Sequence, residues 1–151
     1  MAAIRTAPRL LALGLCAALL APASSAQTEP GAAMADALAG AGAARPLLRC
    51  AALFRALRLH PVSTDATVAG AAVRETDLAT TAALVWQDER ASADTQAAFD
   101  AIVPMIGAAS RVYRARMSRN VDASGTPFDD TLGEDLIFCD ALHAGLASGR
   151  D

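Results

Sequence analysis

The chain has 151 residues, of which 54% are hydrophobic, 4% aromatic and 19% charged, with a formal net charge of −3. This length suits one domain, and this much apolar sequence can bury a core. A disordered polypeptide, a collagen-like fibre and a disulfide-dense miniprotein are therefore excluded. No motif in the sequence identifies an activity.

Residues 1–26 have the three parts of a secretory signal peptide. Arg5 and Arg9 supply positive charge, LLALGLCAALL is an apolar segment of eleven residues, and Ser24-Ser25-Ala26 fits a small-x-small cleavage site. A membrane-spanning helix needs roughly 20 apolar residues, which is more than this segment offers. We predict cleavage near Ala26, no transmembrane span in the mature chain, and a location in the periplasm or the extracellular medium.

The mature chain is more acidic than the precursor. Without Arg5 and Arg9 the formal net charge falls from −3 to −5. Nucleic-acid binding is disfavoured, because phosphate contacts require a positive surface. Every basic residue other than the two histidines is arginine, which indicates a GC-rich bacterial genome.

Residues 27–44 are rich in alanine and glycine and are predicted to form a flexible leader, in which short helical stretches are possible. Residues 45–151 are predicted to form the folded domain. Its first helix begins at Arg45-Pro46 and ends before His60-Pro61, and its second has an N-cap between Ser63 and Asp65. The core positions predicted for these two helices are Leu47, Cys50, Phe54, Leu57, Val68, Ala71, Leu78, Ala82 and Val85.

The third helix begins after Ser92 or Asp94 and should bend at Pro104, which removes a backbone hydrogen bond. The fourth begins with Thr126 as N-cap and Pro127 at its first position. Their predicted core positions are Phe99, Ile102, Ile106, Ala109, Tyr113, Met117, Phe128, Leu132, Leu136, Cys139, Leu142 and Leu146.

Four amphipathic helices with short connections and no strand pattern predict an all-α, up-and-down four-helix bundle. Two cysteines remain after cleavage, Cys50 in the first helix and Cys139 in the last. In an oxidising compartment they have one intramolecular pairing, and there is no Cys-x-x-Cys or His cluster to indicate redox or metal chemistry. We predict a structural disulfide between the first and last helices, which are antiparallel neighbours in such a bundle.

A calcium-like segment at residues 120–131 is one candidate site. Oxygen-bearing residues occupy its first, third and fifth positions, and Gly125 occupies the sixth. The twelfth position holds Thr131 instead of the bidentate glutamate, and Pro127 interrupts the loop. The alternative is a polar turn with Gly125 at positive φ. The candidate ligands are Asn120, Asp122, Ser124 and Asp130.

A second carrier hypothesis is non-covalent haem, with His143 and one of Met34, Met105 or Met117 as axial ligands. Covalent attachment lacks its Cys-x-x-Cys-His motif, and a lone histidine near a helix end is more often a partner of the helix dipole. Catalysis has less support, because His60 lies in a predicted turn with no nucleophile motif nearby. We predict that the protein binds no cofactor and has no enzymatic activity.

Acidic residues are concentrated on the fourth helix, and arginines are concentrated at the end of the third helix and along the first, at Arg45, Arg49, Arg55 and Arg58. One interpretation is intramolecular pairing between these helices, with Glu75 of the second helix also paired to an arginine. The other is a partner surface that meets an acidic protein or anionic lipid headgroups. The residues of this candidate surface are Arg111, Arg114, Arg116 and Arg119.

The stretches RCAALFRAL around Cys50 and DLIFCDAL around Cys139 are similar to those of uncharacterised small exported bacterial proteins with one cysteine in the first and one in the last helix. The resemblance covers about residues 45 to 147. It implies an all-helical, disulfide-bridged fold and carries over no catalytic residue. From the residues and this resemblance together we predict a non-enzymatic binding or interaction module, with an envelope protein as one candidate partner. The alternative is a small-ligand or metal carrier.

Overall fold

A computed structural model describes residues 30–149, and the predicted signal peptide lies outside these described residues. The described part is helical and contains no strand. Its five helices, and a short 3-10 turn at Gly42–Ala44 that follows the first of them, have these bounds: α1 Pro30–Ala37, α2 Arg45–Arg58, α3 Asp65–Glu89, α4 Thr95–Ser124 and α5 Asp130–Ser148.

The central helix is α2, which packs against α3, α4 and α5. Nine of its fourteen residues are buried, among them the predicted core positions Leu47, Cys50, Phe54 and Leu57. Alanines on α2 and α3 carry small side chains, so the helices approach closely without large aromatic residues to fill the space. The predicted core positions of α4 are also buried from Ile102 to Met117, with Phe99 half-buried.

Residues 30–44 differ from the predicted flexible leader. Helix α1 packs on α4, the 3-10 turn packs on α2 and α3, and Leu38 between them is 1% exposed. Gly40 and Gly42 have positive φ values of 76° and 56°, so the glycines that we interpreted as sources of flexibility make two defined turns. The Ala43 N–H donates to Glu89 Oε2 at 3.1 Å, which holds this segment at the end of α3.

The starts of α3 and α4 confirm the predicted caps. The hydroxyl of Thr64 accepts a hydrogen bond from the N–H of Thr67 at 3.2 Å, and the carboxylate of Asp94 accepts one from the N–H of Ala97 at 3.1 Å. Helix α4 continues through Pro104 without a break. The caps at Thr64 and Asp94 satisfy backbone N–H groups that the first turn of each helix leaves without partners.

The predicted start of α5 is wrong by three residues. Asp129, and not Thr126, is the N-cap, and its carboxylate accepts from the N–H of Leu132 at 2.8 Å. Pro127 therefore precedes the helix. The reason is a second partner of Asp129, because the Arg116 guanidinium of α4 donates to the same carboxylate at 2.9 Å and fixes it at the helix end.

The Cys50–Cys139 disulfide joins α2 to α5 across 89 residues of sequence, as predicted. Both cysteines are at most 1% exposed. On α5 only Leu132 and Cys139 are buried among the residues described, whereas Ile137 and Phe138 are 72% and 52% exposed. The disulfide therefore attaches a helix that buries little apolar surface of its own.

Charged side chains join the helices. Glu75 of α3 pairs with both Arg55 and Arg58 of α2, with N–O distances of 3.4 and 2.9 Å. Arg74 of α3 pairs with Asp140 of α5 at 2.8 Å. These contacts confirm the predicted partner of Glu75.

Candidate functional site

A polar cluster of three side chains lies where α2, α4 and α5 meet. Tyr113 of α4 donates its hydroxyl proton to Asp135 Oδ2 of α5 at 3.0 Å and accepts a hydrogen bond from Arg49 Nε of α2 at 3.0 Å. The guanidinium of Arg49 also donates to Asp135 Oδ1. Each of the three helices thus supplies one member of a closed hydrogen-bonded triangle.

Burial favours the neutral form of the phenol in this cluster. Tyr113 is 3% exposed, and burial raises the pKa of its phenol to about 12, although the hydrogen bond from Arg49 acts in the opposite direction. The hydrogen bond to Asp135 raises the pKa of Arg49 above its ordinary value. The three hydrogen bonds of the triangle link α2, α4 and α5 and help to hold them in register.

The sequence reasoning missed this cluster because it treated Tyr113 as an apolar core residue. A buried tyrosine hydroxyl usually has a hydrogen-bond partner, and that rule was the available signal. A pocket of about 300 Å³ borders the cluster, with Met34 of α1 in its wall.

The predicted partner surface divides in two. Arg116 forms an ion pair with Asp129, the N-cap of α5. Arg111, Arg114 and Arg119 are exposed and form no ion pair within the residues described. Arg111 and Arg114 point toward a shared groove, whereas Arg119 is not among the groove's lining residues.

That groove, called here the arginine groove, lies between α2 and the middle of α4 and has a volume of about 400 Å³. Arg55 of α2 contributes a third guanidinium, which also pairs with Glu75 at 3.4 Å. Leu59 and Val103 supply exposed apolar surface, at 44% and 45% exposure. The groove therefore combines positive charge with apolar contact area.

The calcium-like segment is not a loop over its first five residues, because α4 extends to Ser124. The Asn120 amide nitrogen donates to Pro127 O and Asp129 Oδ2, each at 3.0 Å, and the Ser124 hydroxyl donates to Asn120 O. Asp122 and Asp130 are exposed.

Gly125 has φ of 76° and ends α4, which confirms the polar-turn alternative at that residue. Among residues 31–149, no three His, Cys, Asp or Glu side chains form a group suited to a metal ion.

The candidate haem ligands lie on three different helices, with His143 on α5, Met34 on α1, and Met105 and Met117 on α4. His143 of α5 is hydrogen-bonded through Nε2 to Asp77 of α3 at 2.8 Å. Met117 is fully buried in the core, and Met34 lies beside the Arg49–Tyr113–Asp135 cluster. Haem binding by His143 and one of these methionines stays a prediction.

Comparison with protein-family models, with curated proteins and with solved structures gave no match for this chain. Within residues 30–149, no helix has the length and hydropathy needed to cross a bilayer. The disulfide is compatible with an oxidising extracellular compartment.

Proposed function

We propose that this protein is a non-enzymatic binding module and that the arginine groove receives an acidic segment of a partner protein. The observation that carries the proposal is the exposure of Arg111 and Arg114 without an acidic partner. Both are exposed and have no carboxylate partner among the described residues, whereas Arg49, Arg58, Arg74 and Arg116 each have one.

The apolar surface of the groove defines the partner further. Leu59 and Val103 offer contact area to an aliphatic or aromatic side chain, while Arg55, Arg111 and Arg114 offer planar donors to carboxylates around it. Arginine is favoured at such interfaces because its guanidinium binds carboxylates bidentately. An acidic peptide with one central apolar residue matches both properties. The net negative charge of the chain repels such a peptide elsewhere, which concentrates its binding at the groove.

The signal-peptide pattern and the disulfide support a place for this function outside the cytoplasm, in the periplasm or the extracellular medium. An envelope protein with an acidic exposed segment is the corresponding partner. We also infer that α2 to α5 constitute the up-and-down four-helix unit predicted from the sequence, with α1 added to its surface.

The test is fluorescence anisotropy with a labelled peptide of Asp and Glu residues around one phenylalanine, using protein purified from cells that express the full chain. We expect saturable binding that weakens with salt. Arg111→Glu and Arg114→Glu should each reduce affinity about fivefold or more, as the loss of a charged contact predicts.

Arg45→Glu is the matched control, since Arg45 is exposed at the start of α2, forms no ion pair within the described residues and lies outside the groove. It makes the same change in net charge and should leave affinity within about twofold. Equal losses for all three variants would show that only net charge matters and would contradict the proposal. Stronger binding to anionic vesicles than to the peptide would favour a membrane surface instead.

A further inference from the structure

A second cavity, lined by different residues from the arginine groove, lies beneath the loop between α2 and α3. Its volume is about 310 Å³, and it extends from the end of α2 to the end of α4 and the start of α5. None of its lining residues is charged. Its walls are mainly apolar and are formed by Leu57, Val62, Met117, Pro127, Phe128 and Leu136.

The polar side chains of the cavity differ in whether they already have partners. The Ser63 hydroxyl donates to Leu57 O at 2.6 Å, and Thr64 and Thr67 share a hydrogen bond at 3.0 Å. His60 is 7% exposed, and its Nδ1 atom is buried with no hydrogen-bond partner. A buried polar atom without a partner costs about 1–3 kcal/mol, and buried polar atoms in folded proteins usually have one.

We propose that this cavity binds a small uncharged molecule with an apolar ring or short chain and one hydroxyl group, and that His60 is the hydrogen-bond partner of that hydroxyl. An imidazole can pair with a hydroxyl in either neutral tautomer, because a hydroxyl both donates and accepts. This site shares no residue with the arginine groove, and the inference is independent of the proposed function.

Size and charge define the ligand class. An apolar cavity of about 150 Å³ holds benzene, so this one has room for a ring with a short substituent. A charged ligand would lose its hydration and find no lining side chain of fixed charge to replace it. The expected ligand therefore resembles an alkylphenol or a short-chain alcohol in its chemistry.

The experiment is a titration of the ¹³C-methyl-methionine-labelled protein, expressed from the full chain, with p-cresol and with toluene. Met117 lines the cavity, whereas Met105 does not, so the Met105 signal is an internal control. The signal of Met117 is assigned with Met117→Leu. We expect p-cresol to shift the Met117 methyl resonance saturably and to bind at least about fivefold more tightly than toluene, since toluene leaves His60 without a partner.

His60→Phe keeps a ring of similar size and removes both nitrogens, and it should bring the affinities for p-cresol and toluene within about twofold of each other. His143→Phe, which changes the other histidine of the chain, should leave the preference for p-cresol unchanged. The wild-type titration remains decisive if His60→Phe does not fold. No shift at Met117, equal affinities for p-cresol and toluene in the wild type, or tighter binding of the carboxylate p-toluate would each overturn the proposal.

Discussion

At the residue scale, Tyr113 combines a buried phenol with two charged neighbours. Its pKa is raised to about 12 by burial, and it is the one tyrosine of the chain, so its ionisation can be observed without interference from other tyrosines. We predict that the tyrosinate absorbance of the folded protein appears with a midpoint near pH 12, and near pH 10 in denaturant.

The same shift makes stability depend on pH. Because the folded pKa lies above the unfolded one, the contribution of Tyr113 is fully present below about pH 10 and is lost as the pH rises toward 12. Urea unfolding at pH 11 should therefore give a free energy about 1 kcal/mol lower than at pH 9. Tyr113→Phe is the control and should remove most of this difference. An unchanged difference in that variant would assign it to other groups.

The polar contacts of Glu75 and Tyr113 differed in how far the sequence could predict them. Glu75 interrupts an apolar stripe, which is a signal in one sequence segment, and its pairing with arginine was predicted. The partners of Tyr113 lie on two other helices. Arg49 of α2 is 64 residues before Tyr113 in the sequence, and Asp135 of α5 is 22 residues after it. Identifying Arg49 and Asp135 among the many arginines and acids required the register of three helices against one another, which periodicity does not supply.

At the scale of the element, the start of α5 tests what fixes a helix end. Asp129→Ala removes the acceptor for the Leu132 N–H and for Arg116. We expect it to lower the free energy of unfolding by about 1–2 kcal/mol, the usual range for a lost N-cap. Thermal or urea unfolding measures the change.

Thr126→Ala is the matched control, since the threonine hydroxyl accepts only a long contact of 3.4 Å from the Phe128 N–H. It should change stability by less than about 0.5 kcal/mol. If Thr126→Ala were the more damaging of the two, the cap would belong to the threonine after all.

The four helices predicted from apolar spacing were confirmed because each carries a sustained periodic pattern. Helix α1 was missed as a defined element for the opposite reason. Its sequence, PGAAMADA, has few large apolar residues, and its order depends on packing against α4. Local propensity is a weak guide where tertiary contacts decide the outcome.

At the scale of the whole molecule, the disulfide is the largest single constraint on the unfolded chain. Closing a loop of 89 residues corresponds to roughly 4.6 kcal/mol in the chain-entropy model. We predict that Cys50→Ala with Cys139→Ala lowers the free energy of unfolding by about 3–5 kcal/mol, measured by urea unfolding. A loss below about 1 kcal/mol would show that packing alone holds α5.

The pairing of the cysteines was predictable because only two remain after cleavage of the predicted signal peptide. The arginine groove and the cavity beside His60 were not. Each is bounded by segments far apart in sequence, as Arg55 and Arg114 illustrate for the groove. A sequence shows which side chains are charged or apolar, but the empty space between helices depends on their crossing angles and separations.

Cys139 lies at the midpoint of α5, with nine residues of the helix on either side. Because the disulfide holds α5 at its middle, the helix cannot separate from α2 as a whole. It can unfold only from its two ends, in two nine-residue halves that are called arms here. Helical segments of this length are marginal in water by themselves, so each arm depends on its own polar contacts. Asp129 and Asp135 hold the first arm, and Asp140 and His143 hold the second. Removing both contacts of one arm should therefore loosen that half of the helix and leave the other in place.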